Sequence, residues 1–167
     1  MFDRLMQIVS MTPAYARDVV TWRYPAPYDC YDMTGDPGFL TDPGNGFYAL
    51  VDDTRLIGFR SFGPDGQVPG GQYDSLALDT GGGLRPELVG QGIGRTAIAT
   101  GLAFGREQFR PAAFRVTVAG FNQRALRVVT ALGFRAVDRF TALANGRPYE
   151  ILVRPEPTDD AGPASAP

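Results

Sequence analysis

"LRPELVGQGIGRTAIATGLAFG", Leu84 to Gly105, is the stretch on which the fold turns. In its first half Gly90, Gly92 and Gly94 alternate with Gln91 and Ile93. Its second half reads as a helix from Gly92 to Phe109, closed by Pro111. Ile98, Leu102, Gly105 and Phe109 fall on one stripe, with Arg95, Ala99 and Arg106 off it. A helix start leaves backbone N–H groups without intrahelical partners and carries the positive end of the helix dipole. Glycines in front of it let an anion approach within hydrogen-bonding distance. The stretch is a candidate phosphate cradle, to which Arg95 adds a charge. The plainer alternative is a turn that lets a helix pack close to a strand.

Two nucleotide readings fail on spacing. A dinucleotide fingerprint from Gly90 finds Gly92 but meets Arg95 where its last glycine belongs, and no acidic residue follows at the right distance. A P-loop needs Gly-Lys-Ser/Thr, which is absent.

The flanking segments give an order of elements. Leu5 to Met11 reads as a strand. Thr12 and Pro13 follow as N-cap and first residue of a helix that Pro25 and Pro27 close off. "PAPYDCYDMTGDPGFLTDPGNG" is loop with a short helical turn. Phe47–Asp53 and Arg55–Gly63 form a hairpin around Asp-Asp-Thr. Tyr73 to Leu84 reads as one long strand, broken by the glycines at 81–83. Beyond the central helix come an alternating strand, Phe114–Phe121, and a short helix with Ala125, Val129 and Leu132 on its apolar face and Gly133 as its stop. The runs Ala136–Ala144 and Tyr149–Val153 then flank an Asn145-Gly146 turn. The order β-α-loop-β-β-β-α-β-α-β-β predicts an α/β (α+β) domain. Its sheet is mixed and mostly antiparallel, with about six or seven strands. The domain is expected over residues 1–155, with a Pro-, Ala- and Asp-rich disordered tail over 156–167.

Composition narrows the chemistry. The chain has 167 residues, 44% hydrophobic and 20% charged, with a net charge of -2. Neither a nucleic-acid footprint nor a membrane span is read from it. No leader is read in "MFDRLMQIVSM", so a cytoplasmic location is expected. There is no histidine and one cysteine, Cys30, so histidine triads, histidine metal sites and thiolate zinc sites are ruled out. No metal is expected.

Two motifs together resemble the GNAT acetyltransferase superfamily. The first is an apolar-x-Pro strand end followed by a Gly-x-Gly loop opening a helix, matched by Leu84-Arg85-Pro86 and Gly92-Ile93-Gly94. The second is the family's Asn-x-x-Ala-x-x-x-Tyr-x-x-x-Gly-Phe helix, matched in "FNQRALRVVTALGF" by Asn122, Ala125, Gly133 and Phe134. The resemblance covers nearly the whole chain except the tail. It implies acetyl-CoA as acyl donor and a splayed strand pair opened by the glycines at 81–83. The loop from Val89 through Gly90, Gln91, Gly92, Ile93 and Gly94 to Arg95 would hold the pyrophosphate. The main chain of Leu84, next to Arg85, would pair with the pantetheine arm, and Asn122 would bond the coenzyme near its thiol. Two positions depart from the pattern. Val89 replaces the loop's leading Arg/Gln, and Val129 replaces the tyrosine that often protonates the leaving thiolate.

The reaction so implied is attack of an amine on a thioester. It needs proximity, a base and a polarised carbonyl. Asp79 is the candidate base, against the alternative of a carboxylate that only caps a strand edge. Trp22, Tyr24, Tyr28, Asp29 and Tyr31 are candidates for the acceptor wall, since aromatics with carboxylates suit a cationic amine. The alternative is that Trp22 and Tyr24 only pack the first helix. Cys30 reads as a small buried residue. The acceptor would be a small amine or a peptide amino group. The competing readings are a non-catalytic acyl-CoA sensor, suggested by Val129, and a nucleotide-binding module. The last hairpin could offer a sheet edge to a homodimer.

Overall fold

A computed structural model describes residues 6–53 and 55–157. Two apolar faces of one sheet organise it. The strands are β1 (Met6–Ser10), β2 (Phe47–Asp52), β3 (Arg55–Phe62), β4 (Leu78–Leu84), β5 (Ala113–Ala119), β6 (Arg135–Thr141) and β7 (Pro148–Pro155). They lie side by side in the order β1-β2-β3-β4-β5-β7-β6. Every pairing is antiparallel except β4 with β5. The mixed, mostly antiparallel sheet read from the sequence is therefore present.

One face carries α1 (Pro13–Val19) and the short α2 (Gly38–Thr41). Ala16, Val19, Trp22 and Leu40 pack there on Phe47, Ala49, Val51, Leu56 and Phe59. Thr12 caps α1 as expected, its hydroxyl accepting from the Tyr15 N–H at 3.1 Å. The other face carries α3 (Gly94–Phe109) and α4 (Gln123–Ala131), packed on Phe62, Phe114, Val116, Val118 and Leu152.

Four local expectations are corrected. Tyr73–Ala77 is not strand, so β4 begins only at Leu78. The buried face of α3 is Ala97, Gly101, Leu102 and Gly105, while Phe109 is exposed. Small residues set that face because the helix lies close on the sheet. A Cβ on Gly101 would fall 2.8 Å from Arg60 Nε. In the last hairpin the first strand ends earlier, at Thr141, and the second begins at Pro148 and runs on to Pro155, around a longer connection. Glu156 belongs to the folded unit, its N–H bonded to Ala112 O and its carboxylate to Arg154. Residues 158–167 of the expected tail lie outside the described residues, as do Leu5 and Thr54.

The feature that positions the site is a gap in the middle of the sheet. β4 and β5 pair only at Leu78–Phe114 and Asp79–Arg115. β4 then follows β3 as far as Leu84, while β5 follows β7. The register says which groups face the gap. Asp79 and Arg85 bond toward the β3 side, through Gly63 N–H to Asp79 O and Arg85 N–H to Ile57 O. Alternation then turns the N–H and C=O of Gly82 and Leu84 the other way. On β5, bonds between Gly120 N–H and Pro148 O and between Glu156 N–H and Ala112 O fix the opposite set. Thr117 and Ala119 consequently face the gap. Gly82 is exposed in the middle of a seven-stranded sheet.

Candidate active site

The gap ends at the glycine loop. After Leu84, Pro86–Leu88 makes a short 3-10 turn, and Gly90 and Gly92 take φ +83° and +81°. Non-glycine residues rarely hold that conformation, so the two glycines let the chain double back before α3. The helix starts at Gly94, not Gly92, and no side chain caps it. Its first intrahelical acceptor, Ile93 O, takes the Ala97 N–H. The N–H groups of Gly94, Arg95 and Thr96 therefore precede the first intrahelical bond and suit an anion. Gln91, Gly92 and Arg95 are exposed there. The Val89 N–H is turned back to Pro86 O.

Gly82 sits on the β4 rim of the gap. Its φ is +153°, and a side chain there would run into the Phe59 carbonyl and Arg60. Below it lies Arg60, 6% exposed, with no hydrogen-bond partner on Nε among the described residues. Burial pulls its pKa down to about 10.

The loop after α1 reaches both rims of the gap. Tyr24 Oη donates to Leu84 O on β4 at 2.6 Å. Tyr31 Oη accepts from Ala119 N–H on β5 at 3.3 Å and from Asn122 Nδ2 at 3.2 Å. Asn122 also caps α4, its Oδ1 accepting from the Ala125 N–H at 3.1 Å. Tyr28 stands edge-on to Phe121, 5.2 Å between centroids, with Arg124 over its ring at 5.3 Å. The structure thus brings Tyr24, Tyr31, Leu84 and Asn122 together around one opening, and Asp29 is exposed beside them.

Other candidates are placed elsewhere. Asp79 is not available as a base. It is 5% exposed, held by Arg115 Nε at 2.7 Å and Nη2 at 2.8 Å and by Gln67 at 3.0 Å. Both carboxylate oxygens are thus taken up by donors within the fold. Trp22 is core, not wall. It is 5% exposed and its indole donates to Asp18 at 3.0 Å. The Arg85 side chain turns away from the gap to Asp18 at 2.6 Å and stacks on Trp22 at 5.0 Å. Val129 is buried in the core beneath α4. Cys30 is exposed, contrary to expectation. Its thiol pKa is nevertheless raised, by burial first, so it is not an activated nucleophile.

Sequence reasoning missed Arg124, whose Nη1 would lie 3.2 Å from a Cβ on Gly90. Its guanidinium therefore borders the cradle. The available signal was a basic residue in the first turn of the helix that follows β5. Also missed was Asp65, whose carboxyl pKa is raised by burial. It lines a roughly 370 Å³ cavity with Phe39, Asn45, Pro64 and Gln67.

A sheet parted between two parallel strands, with a glycine cradle at the start of the next helix, is the architecture that the acetyltransferase resemblance implied. A family model described as the acetyltransferase (GNAT) family matches residues 12–134. The chain belongs to that family, and its general activity is acetyl transfer. Solved structures share the fold. A chimeric spermidine N-acetyltransferase from Vibrio cholerae and hSSAT aligns with TM-score 0.71 at 16% identity, over 90% of this chain and 95% of that one. A GNAT-family acetyltransferase from Bacillus anthracis gives 0.69 at 13%, over 90% and 95%. A putative acetyltransferase from Salmonella typhimurium, solved with its cofactor acetyl-CoA, gives 0.64 at 14%, over 90% and 94%. No curated protein matches the sequence.

Proposed function

We propose that this protein is an N-acetyltransferase that moves an acetyl group from acetyl-CoA to a small-molecule amine by direct attack. The observation that carries the reading is the gap between β4 and β5. It leaves the backbone donors and acceptors of Gly82 and Thr117 facing no strand. Backbone donors and acceptors that no strand takes are free to pair with an extended ligand. The pantetheine arm of coenzyme A carries two amides and fits as a short extra strand. Its pyrophosphate fits the uncapped start of α3, with Arg95 and Arg124 adding charge. An acetyl-CoA-bound relative of the same fold supports the donor, and relatives that acetylate spermidine support an amine acceptor.

The chain's own part in the chemistry is largely positioning. The gap-facing N–H groups of Gly82 and Leu84 are suited to polarise the thioester carbonyl. Tyr24, Tyr28 and Tyr31 give the acceptor an aromatic wall on the opposite side of the sheet from α3. Asp79 contributes stability through Arg115.

The test is calorimetric titration with CoA, NAD and ATP, followed by free-thiol release with acetyl-CoA and a panel of amines. Binding of CoA alone and turnover with at least one amine are expected. Binding of NAD or ATP but not CoA would overturn the proposal. The second reading, an acyl-CoA sensor without turnover, is favoured by Val129, whose apolar side chain is buried and cannot donate a proton. CoA binding with no thiol release for any amine would select it.

A further inference from the structure

The missing tyrosine at position 129 leaves the leaving thiolate without its usual proton source. A different phenol stands at the gap with its proton unspent. Tyr31 Oη accepts two hydrogen bonds, from Ala119 N–H and Asn122 Nδ2, and donates none among the described residues. Tyr24, another phenol at the gap, already spends its proton on Leu84 O. Tyr31 is also fixed in place. It packs against the cluster of Ala119, Ala142 and Tyr149, its ring 6.3 Å from that of Phe121. Ala119 N–H is one of the backbone groups that face the gap, so an oxygen bonded to it lies at the gap's rim.

We propose that Tyr31 is the catalytic acid of this enzyme, supplying from the α1–α2 connection the proton that its relatives draw from α4. This rests on the acetyl-transfer reading above. The amine lone pair forms the C–N bond, and the C–S electron pair leaves on sulfur. The Tyr31 proton passes to that sulfur, and the surplus proton of the amine nitrogen returns to the phenolate oxygen. Atoms and charge balance: amine and thioester give amide and free thiol, and the phenol is regenerated. The two N–H donors are what such an oxygen needs while it carries charge.

The environment agrees with a relay. Burial pushes the phenol up to about 12, while hydrogen bonds from Asn122 and Ala119 pull the other way. The group is therefore fully protonated at neutral pH. It lies above the ordinary thiol range near 8.5, so transfer to sulfur is uphill unless it is coupled to return of the amine's proton. A free phenolate does not accumulate, so the phenol proton departs only as the amine's proton replaces it. The relay disposes of the proton that the neutral amine loses after attack without calling on Asp79, which Arg115 engages.

The experiment compares wild type with Tyr31→Phe and with 3-fluorotyrosine placed at position 31. It reads the CoA dissociation constant by calorimetry, the thermal midpoint, and kcat and KM for the amine. For Tyr31→Phe, a kcat loss of about 100-fold is expected, with CoA affinity within about twofold of wild type. The fluorotyrosine protein, which keeps a donor of nearly the same size, should retain most of the turnover even if the phenylalanine variant folds poorly. An unchanged kcat in Tyr31→Phe overturns the proposal while leaving acetyl transfer intact. A raised KM or weakened CoA binding at constant kcat also overturns it and makes Tyr31 a wall residue. Wild-type protein that neither binds CoA nor releases thiol overturns both readings.

Discussion

Tyr24 and Leu84, sixty positions apart, are joined by a 2.6 Å hydrogen bond from phenol to main-chain carbonyl. The bond occupies a backbone acceptor on the rim of the gap, where the pantetheine arm is proposed to lie. Tyr24→Phe should free that carbonyl and tighten CoA binding by a few-fold, measured by calorimetry. The same variant should lower the unfolding free energy by about 1 kcal/mol, the ordinary net value of one such bond. Weaker CoA binding would mean that the phenol helps hold the donor.

Gly82→Ala is expected to be severe. The positive φ and the collision with the Phe59 carbonyl act together. A loss of roughly 3 kcal/mol or more in urea unfolding is expected. A mild loss would show that β4 can relax away from β3.

Arg60→Met should stabilise the fold. Arg60 is buried, its Nε has no hydrogen-bond partner among the described residues, and burial alone lowers its pKa. Removing a buried charge while keeping the volume should gain about 1–3 kcal/mol, read as a higher midpoint in urea. A loss would reveal a partner for the guanidinium in solution.

Asp79→Asn separates two roles for one carboxylate. As the buried partner of Arg115, it should cost about 3–5 kcal/mol of stability. The protein that remains folded should keep kcat within a few-fold. Normal stability with turnover abolished would restore Asp79 as the base.

Alkaline pH should weaken the fold through Tyr31. Its folded pKa, about 12, is raised above the ordinary value of 10. The stabilising contribution is thus complete below pH 10, where both states are protonated. It is lost as pH rises from 10 toward 12, because only the unfolded chain releases the proton. Urea unfolding at pH 8 to 11 should show a falling midpoint, less steep in Tyr31→Phe.

What the sequence made legible was local. Glycines before an apolar stripe, the Thr12-Pro13 helix start, and Asn122 with Gly133 bracketing α4 are decided within a turn or two of chain. What it hid depends on which segments meet. Asp79 looked free because Arg115 lies on the next strand, 36 positions away. Arg85 looked like a site residue because its partner Asp18 is 67 positions away, visible only once α1 lies beside the end of β4. The packed face of α3 was misjudged because close approach selects Ala97, Gly101 and Gly105, which carry little hydrophobic signal. Tyr73–Ala77 runs straight into β4 in the sequence, yet pairs with no strand among the described residues.

The run Gly81-Gly82-Gly83 leaves the donor side of the gap built from main chain alone. Main chain does not diverge by point mutation, and at Gly82 nearly any replacement damages the fold before it alters recognition. The loop carrying Tyr24, Tyr28 and Tyr31 is under no such restriction, since Thr21, Arg23, Pro25, Ala26, Pro27, Asp29 and Cys30 are all exposed. Descendants of this gene are therefore free to explore new acceptors while inheriting the donor unchanged. A laboratory evolution campaign aimed at a new amine should accumulate its changes between positions 21 and 30 and leave β4 untouched.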